Sequence, residues 1–182
     1  MEVQTVRSLL GCGDPVVQKQ IPTGWRELVN RVVASYHEAL GSDLLAVACF
    51  GSVARGEPMP DSDLDLYVVT RNPVATLSDK RLEGMIRLHD TPEYQALLRQ
   101  SYRPEPMPIY HTLAHLATHP WILLDIADHG IILYDPEGIL AKELESIRRR
   151  LRELGSRRIQ LPDGSWYWDL KPDWRPGETV AL

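Results

Sequence analysis

A short apolar run that stops abruptly at a glycine constrains the fold of this chain most. Residues 44–50 (LLAVACF) are apolar throughout and are followed at once by Gly51. A run of this length without polar alternation predicts a strand covered on both faces, and the glycine predicts its end. Residues 64–69 (LDLYVV) alternate apolar side chains with Asp65, which predicts a second strand. We therefore expect strands packed between helices.

Similar patterns extend along most of the chain. Apolar spacing of three and four residues predicts helices at 24–40, 79–89, 92–101, 113–128 and 136–154. Thr23, Ser78, Thr91 and Asp135 are the predicted N-caps, and Gly41 and Gly155 the predicted stops. Further strands are predicted at 106–111, where prolines favour a sheet edge, and at 131–134, with a hairpin formed by 158–161 and 166–170 around Asp163 and Gly164. The fold class is thus α/β (α+β): a small mixed β-sheet flanked by helices, with a C-terminal helix and β-hairpin.

Length and composition favour one compact unit. The chain has 182 residues, of which 43% are hydrophobic and 25% charged. We expect a lead-in at 1–22, a core at 23–135, and a C-terminal helix, hairpin and tail at 136–182 packed on that core. The net charge of −5 argues against a broad surface for duplex nucleic acid, but nucleic acid stays open as an acceptor. Two cysteines, no signal-like N-terminus and no long apolar span predict a cytoplasmic protein without membrane contact.

The residues that suggest chemistry lie between the first two predicted strands. Gly51-Ser52 ends the first strand, ten residues (53–62) intervene, and Asp63-Leu64-Asp65 opens the second. A glycine at such a bend lets backbone N–H groups approach a phosphate, and the Ser52 hydroxyl adds a donor. Two carboxylates one residue apart on a strand project to the same face and can share a hard cation with phosphate oxygens. The spacing predicts a site for a divalent metal and a triphosphate.

This stretch resembles the nucleotidyltransferase superfamily related to DNA polymerase β, whose signature is a Gly-Ser pair followed by Asp-x-Asp. Residues 54–56 (ARG) also resemble the GS-x-A-R-G form of its minimal prokaryotic members, and the resemblance is specific over about 43–70. It implies transfer of a nucleotidyl group to an acceptor hydroxyl with release of pyrophosphate, with ATP as the favoured donor. It also implies Mg²⁺, or Mn²⁺ in its place, on Asp63 and Asp65, and nucleotide binding by Gly51, Ser52 and Arg55.

The resemblance further implies a third carboxylate and a protein partner. Glu105, just before the strand at 106–111, is the candidate third catalytic acid, although a loop glutamate between Pro104 and Pro106 is an equal alternative. Small members are often encoded beside a helical HEPN-type partner, which they adenylylate as antitoxins, and we expect that role here. The alternatives are a catalytically weak or inactive nucleotide- or partner-binding module, and an enzyme that modifies aminoglycoside-type drugs.

Three further features of the sequence each allow two interpretations. Arg55 can contact phosphates or pair with a loop carboxylate. His111, His115 and His119 have a spacing that binds zinc on a helix, but His111 belongs to a predicted strand, so polar surface is favoured. The aromatic run 166–168 (WYW) can stack a nucleobase, but packing of the hairpin on the core is favoured.

Overall fold

The computed structural model describes residues 21–74, 87–162 and 165–181. Most of the predicted lead-in with Cys12, most of the helix predicted at 79–89 with its Ser78 cap, and the hairpin turn at Asp163 and Gly164 lie outside them. The helices are α1 (Thr23–Leu40), α2 (Gly51–Ala54), α3 (Pro92–Arg99), α4 (Leu113–Leu116), α5 (Ile122–His129) and α6 (Ile139–Leu154). The strands are β1 (Leu44–Cys49), β2 (Leu64–Thr70), β3 (Pro106–Thr112), β4 (Ile131–Tyr134), β5 (Arg157–Gln160) and β6 (Trp166–Asp169).

Four strands form one mixed sheet in the order β3-β2-β1-β4. β2 pairs in parallel with β3 and antiparallel with β1, which pairs antiparallel with β4. β5 and β6 form a separate antiparallel hairpin. The predicted class is confirmed, and the proline-containing strand β3 lies at an edge of the sheet, as expected from the missing N–H groups.

Two apolar layers cover the sheet. On one face, Leu64, Leu66 and Val68 of β2 pack with α1 and α3. On the other face, Tyr67 and Val69 pack with α5 and α6. This alternation assigns Asp65 to the second face, the side that α5 and α6 cover.

The ends of the first helices follow mostly local rules. α1 ends at Gly41, whose positive φ of 54° suits a residue without Cβ. Thr91 caps α3 as predicted, because its hydroxyl accepts from the backbone N–H of Tyr94. The predicted cap Thr23 was wrong, since it is the first helical residue and Pro22 takes the cap position without a side-chain hydrogen bond.

Two predicted helices differ from the structure. The helix predicted at 113–128 is two helices, α4 and α5, separated at His119 and Pro120. His119 has φ of 50°, and a proline inside a helix loses a hydrogen bond and clashes with the preceding turn. The helix predicted from 136 begins at Ile139, because Gly138 in the left-handed region occupies the cap position. Asp135 still contributes, since its carboxylate accepts from the N–H of Ala141 at 2.8 Å.

The C-terminal hairpin rests on the second apolar layer. Trp168 and Leu170 pack against it, which confirms the favoured interpretation of hairpin packing for Trp168. Trp166 is half-buried, and Tyr167 is 50% exposed. Across the part of the chain that the structure describes, no helix is both long and apolar enough to span a membrane.

Candidate active site

Gly51 forms the bend between β1 and α2. Its φ is 69°, in the left-handed region where glycine is favoured. The bend is tied to the next strand, because the N–H of Phe50 donates to the carbonyl of Asp65 at 3.1 Å. A Cβ at residue 51 would collide with the Asp65 carboxylate. The small residue therefore makes room for the acid, and the bend and the carboxylate lie in direct contact.

Asp63 and Asp65 form a pair of like charges beside this bend. Asp65 is half-buried, whereas Asp63 lies exposed just before β2. Burial raises the pKa of Asp65, the negative charge of Asp63 raises it further, and Arg55 lowers it. A cation bound between the two aspartates would relieve both the desolvation and the repulsion.

This donor set fits a magnesium-type ion. Among the described residues, no group of three or more His, Cys, Asp or Glu side chains is arranged to hold a metal. Mg²⁺ is commonly held by only one or two carboxylates together with waters and substrate phosphates. The two aspartates would thus supply the protein's share of such a site, whereas the described part of the chain has no cluster of three or more such ligands.

Ser52 organises the loop between the strands. Its hydroxyl donates to the Ser62 hydroxyl at 2.9 Å, and Ser62 Oγ accepts from the N–H of Met59 at 2.8 Å. The Ser52 carbonyl also accepts from the N–H of Glu57 at 3.0 Å. These bonds hold the two ends of the loop together and bring Asp63 close to α2. Phosphate binding by the Ser52 hydroxyl stays a prediction.

Arg55 lies between the aspartate pair and helix α5. Its guanidinium is 4.0 Å from the Glu57 carboxylate, so the loop ion pair foreseen as one alternative is present. Its charge also lowers the pKa of Asp65 and of Asp125 on α5, although burial raises the pKa of both groups overall. Arg55 therefore pairs with the loop. It also lies near enough to the aspartates to contact a phosphate bound there, which is the other interpretation.

The sequence-based reasoning missed Asp125 and His129, which lie on α5 near Arg55. Helix α5 packs against α2, and this packing brings the two residues to the site. Burial lowers the pKa of His129, and the charges of Arg158 and Arg55 lower it as well, against the opposing effect of Asp128. The one available signal was a carboxylate at Asp125 inside an otherwise apolar helical segment.

Glu105 is not brought into a cluster with the aspartates. Its carboxylate accepts a hydrogen bond from the Tyr94 hydroxyl and contacts His89 Nε2 at 2.8 Å. Burial alone would raise the pKa of Glu105, but these two hydrogen bonds outweigh it and lower the pKa. The strand register places Met107, and not an acid, beside Asp65. The catalytic role of Glu105 stays a prediction.

The histidine trio does not lie along one helix. His111 is in β3, where Nδ1 is 2.9 Å from the Tyr67 hydroxyl, and its ring stacks on His115 at a centroid distance of 3.9 Å. His119 instead pairs with Glu143 at 2.5 Å. Desolvation, followed by the charge of His115, lowers the pKa of His111. The zinc-helix geometry that the spacing allowed is therefore not formed by the described residues.

Residues 33–111 match the nucleotidyltransferase domain family. Over this segment, which is less than half of the chain, the protein is similar to that family. The match includes the Gly51 bend, the aspartate pair and Glu105. Nucleotidyltransferases generally use divalent metals, in agreement with the donor set of Asp63 and Asp65.

Several solved structures are similar to this chain. A mutant of the MntA–HpeT toxin–antitoxin is 14% identical, with 70% of this chain and 92% of that chain covered and a TM-score of 0.42. A toxin–antitoxin with AMP-PNP is 15% identical, with 69% and 91% covered and a TM-score of 0.40. A tri-AMPylated Shewanella oneidensis HEPN toxin in complex with MNT antitoxin is 16% identical, with 71% and 92% covered and a TM-score of 0.39. No curated protein matches significantly. The likeness to the nucleotidyltransferase domain rests on the match over residues 33–111.

Proposed function

We propose that this protein transfers AMP from ATP to an acceptor hydroxyl, with release of pyrophosphate, at a divalent-metal site formed by Asp63 and Asp65. The observation that carries the proposal is the contact between Gly51 and the Asp65 carboxylate. It brings the bend that would receive phosphates and an acid that would hold the metal to one place. The pairing of β1 with β2 brings the two features together, and this arrangement is the one that a shared ligand requires.

Each proposed residue has a separate task. Asp63 and Asp65 would hold the cation, and Gly51 and Ser52 would line the polyphosphate. Arg55, whose charge already acts on Asp65, would contact a phosphate oxygen. When bound, Mg²⁺ would neutralise negative charge on the α-phosphate and on the pyrophosphate leaving group. The acceptor oxygen would bond to the α-phosphorus as the bond to pyrophosphate breaks.

The proposed acceptor is a HEPN-type protein, with this chain acting as its antitoxin. The proposal rests on the GS-x-A-R-G resemblance around Arg55. The similar solved structures, whose TM-scores are below 0.5, are not the basis for the choice of this acceptor. A HEPN-type protein encoded beside this chain is therefore the first acceptor to test.

The test follows the position of a radiolabel. The protein is incubated with the neighbouring HEPN-type protein, Mg²⁺, and ATP labelled at either the α- or the γ-phosphorus. Nucleotidyl transfer predicts label on the acceptor only from α-labelled ATP, with loss in Asp63→Asn and Asp65→Asn. Asp173→Asn is the matched control, because that carboxylate is 83% exposed on the C-terminal segment. Label from γ-labelled ATP would indicate phosphoryl transfer and contradict the proposal.

A non-catalytic nucleotide-binding module is the second candidate. It is favoured by the hydrogen bonds that hold the Glu105 carboxylate at Tyr94 and His89. This candidate predicts Mg²⁺-dependent binding of ATP without transfer of label to any acceptor. Transfer that depends on Asp63 and Asp65 would exclude it.

A further inference from the structure

An open cleft lies between helix α5 and the β5–β6 hairpin. Its volume is about 460 Å³, which is in the usual range for small-molecule pockets. Its lining combines aromatic rings with one acid: Trp121, Trp166, Tyr167, Trp168 and Asp125. Of these residues, only Asp125, near Arg55, entered the description of the metal site. An aromatic cleft with a single carboxylate has the composition of a site for a planar, amine-bearing ligand.

Three indole rings line the cleft. Trp166 and Trp168 are nearly perpendicular, at 86°, with centroids 6.4 Å apart. Trp121, which also lines the cleft, is 70% exposed. The exposed Trp121 indole leaves apolar area in water, and stacking of a heterocycle on it would remove that area from water.

Asp125 provides the polar end of the cleft. It is half-buried, and its Oδ1 accepts from the indole N–H of Trp168 at 3.4 Å. This bond fixes the carboxylate against the hairpin. A carboxylate accepts hydrogen bonds only, so it selects a ligand that presents an N–H group to it.

The cleft adjoins the proposed nucleotide site. Helix α5, which carries Asp125, packs against α2, which begins at the Gly51 bend. Arg55, at the end of α2, lies near enough to both Asp65 and Asp125 for its charge to act on each. One ligand with phosphates at the aspartate pair could therefore extend past Arg55 into the cleft.

We propose that the cleft holds the nucleobase of the donor nucleotide, stacked on the indoles of Trp121 and the hairpin, with Asp125 accepting from the exocyclic amine of the base. This inference rests on the proposed function, because the nucleotide is its donor. Adenine, cytosine and guanine carry such an exocyclic amine, whereas uracil has carbonyl oxygens at both exocyclic positions, which would repel the carboxylate, and donates only through its ring N3–H. The cleft thus selects an amine-bearing base and disfavours UTP.

The first experiment separates the contribution of the base to binding affinity from that of the phosphates. Isothermal titration measures binding of α,β-methylene-ATP and of inorganic triphosphate, each with Mg²⁺. We expect the nucleotide to bind at least about tenfold more tightly, since stacking of one base contributes on that scale. Trp121→Ala should remove most of this difference and leave the affinity for triphosphate unchanged. Trp174→Ala is the control, because this indole is 51% exposed but does not line the cleft.

The second experiment tests the role of Asp125. The unsubstituted protein should bind α,β-methylene-ATP about tenfold more tightly than α,β-methylene-UTP. Asp125→Asn should reduce this preference, because an amide can donate to a uracil carbonyl. Retention of the full preference in Asp125→Asn would overturn the assignment of that residue.

The outcomes distinguish this inference from the proposed function. Equal affinity for α,β-methylene-ATP and triphosphate would overturn the nucleobase cleft and leave the metal site intact. A higher KM for the acceptor in Trp121→Ala, with unchanged nucleotide affinity, would assign the cleft to the acceptor and also overturn it. No binding of either probe would contradict the proposed function, and with it the cleft.

Discussion

Asp65 is at once the best-supported acid of the site and an electrostatic liability for the fold. Burial and the charge of Asp63 both raise its pKa, so the folded protein disfavours its ionised form. Groups arranged in this way are more common at functional sites than elsewhere, because binding, and not stability, selects the arrangement. The ionised Asp65 carboxylate, for which Gly51 makes room, should therefore lower the stability of the folded protein.

Replacement of Asp65 by Asn should stabilise the protein and abolish transfer. Above the folded-state pKa, ionised Asp65 destabilises the native state, and Asn removes that penalty. As the pH falls through the folded-state pKa, the wild-type group is protonated and the gain disappears. Thermal unfolding should show a higher Tm for Asp65→Asn at neutral pH and little difference in acid, and activity should fall by about a hundredfold or more. A lower Tm at neutral pH would contradict this electrostatic account.

The pKa of Glu105 is shifted in the opposite direction to that of Asp65. Its pKa is lowered in the folded state, so its contribution to stability is present above the ordinary value of 4.5 and is lost as the pH falls through the folded-state value. Glu105→Gln should lower Tm at neutral pH, and the difference from wild type should shrink in acid. Tyr94→Phe, which removes one of the two donors, should show part of the effect, and the exposed Glu38→Gln none.

The kcat of Glu105→Gln tests the role predicted from the sequence. A catalytic acid or base would lower kcat by about a hundredfold or more. A carboxylate that only holds Tyr94 and His89 would change stability and leave kcat nearly unchanged. Since the described residues place no third metal-binding side chain in one cluster with Asp63 and Asp65, we expect the second result.

At the scale of helices and strands, elements set by local pattern were the most predictable. The buried run of β1 and the stop at Gly41 follow from local apolar pattern and glycine chemistry, and both were predicted closely. The break between α4 and α5 was missed, although Pro120 signalled it, because the apolar spacing continues on both sides. The start of α6 was missed because a left-handed Gly138 overrode the local capping preference of Asp135.

Helix α6 is expected to contribute strongly to stability. Leu140, Leu144, Ile147 and Leu151 are buried along one face and pack on the second face of the sheet. Leu144→Ala should lower the free energy of unfolding by about 2–5 kcal/mol, the usual range for a fully buried leucine. Lys142→Ala, on the exposed face of the same helix, should change it little. The free energy of unfolding is measured by urea denaturation. Equally small effects of Leu144→Ala and Lys142→Ala would contradict the packing of α6 as part of the core.

At the scale of the whole molecule, the sequence was sufficient to predict the fold class and the contact between Gly51 and Asp65. Both depend on strand periodicity and on a bend between neighbouring strands, which are local in sequence. Asp125 and the hairpin cleft were not predictable, because they depend on how α5 packs against α2 and against residues some 40 positions further along. The proposed boundaries at residues 22 and 135 stay predictions, although α6 packs directly on the sheet.

The central claim is that Asp63 and Asp65 bind a divalent ion together with the polyphosphate held at Gly51. Isothermal titration of α,β-methylene-ATP, with and without Mg²⁺, tests it most directly in the wild-type protein and in Asp65→Asn. We predict binding that requires Mg²⁺ in the wild type and is lost in Asp65→Asn at unchanged fold. Binding of equal strength without Mg²⁺, or in Asp65→Asn, would contradict the account.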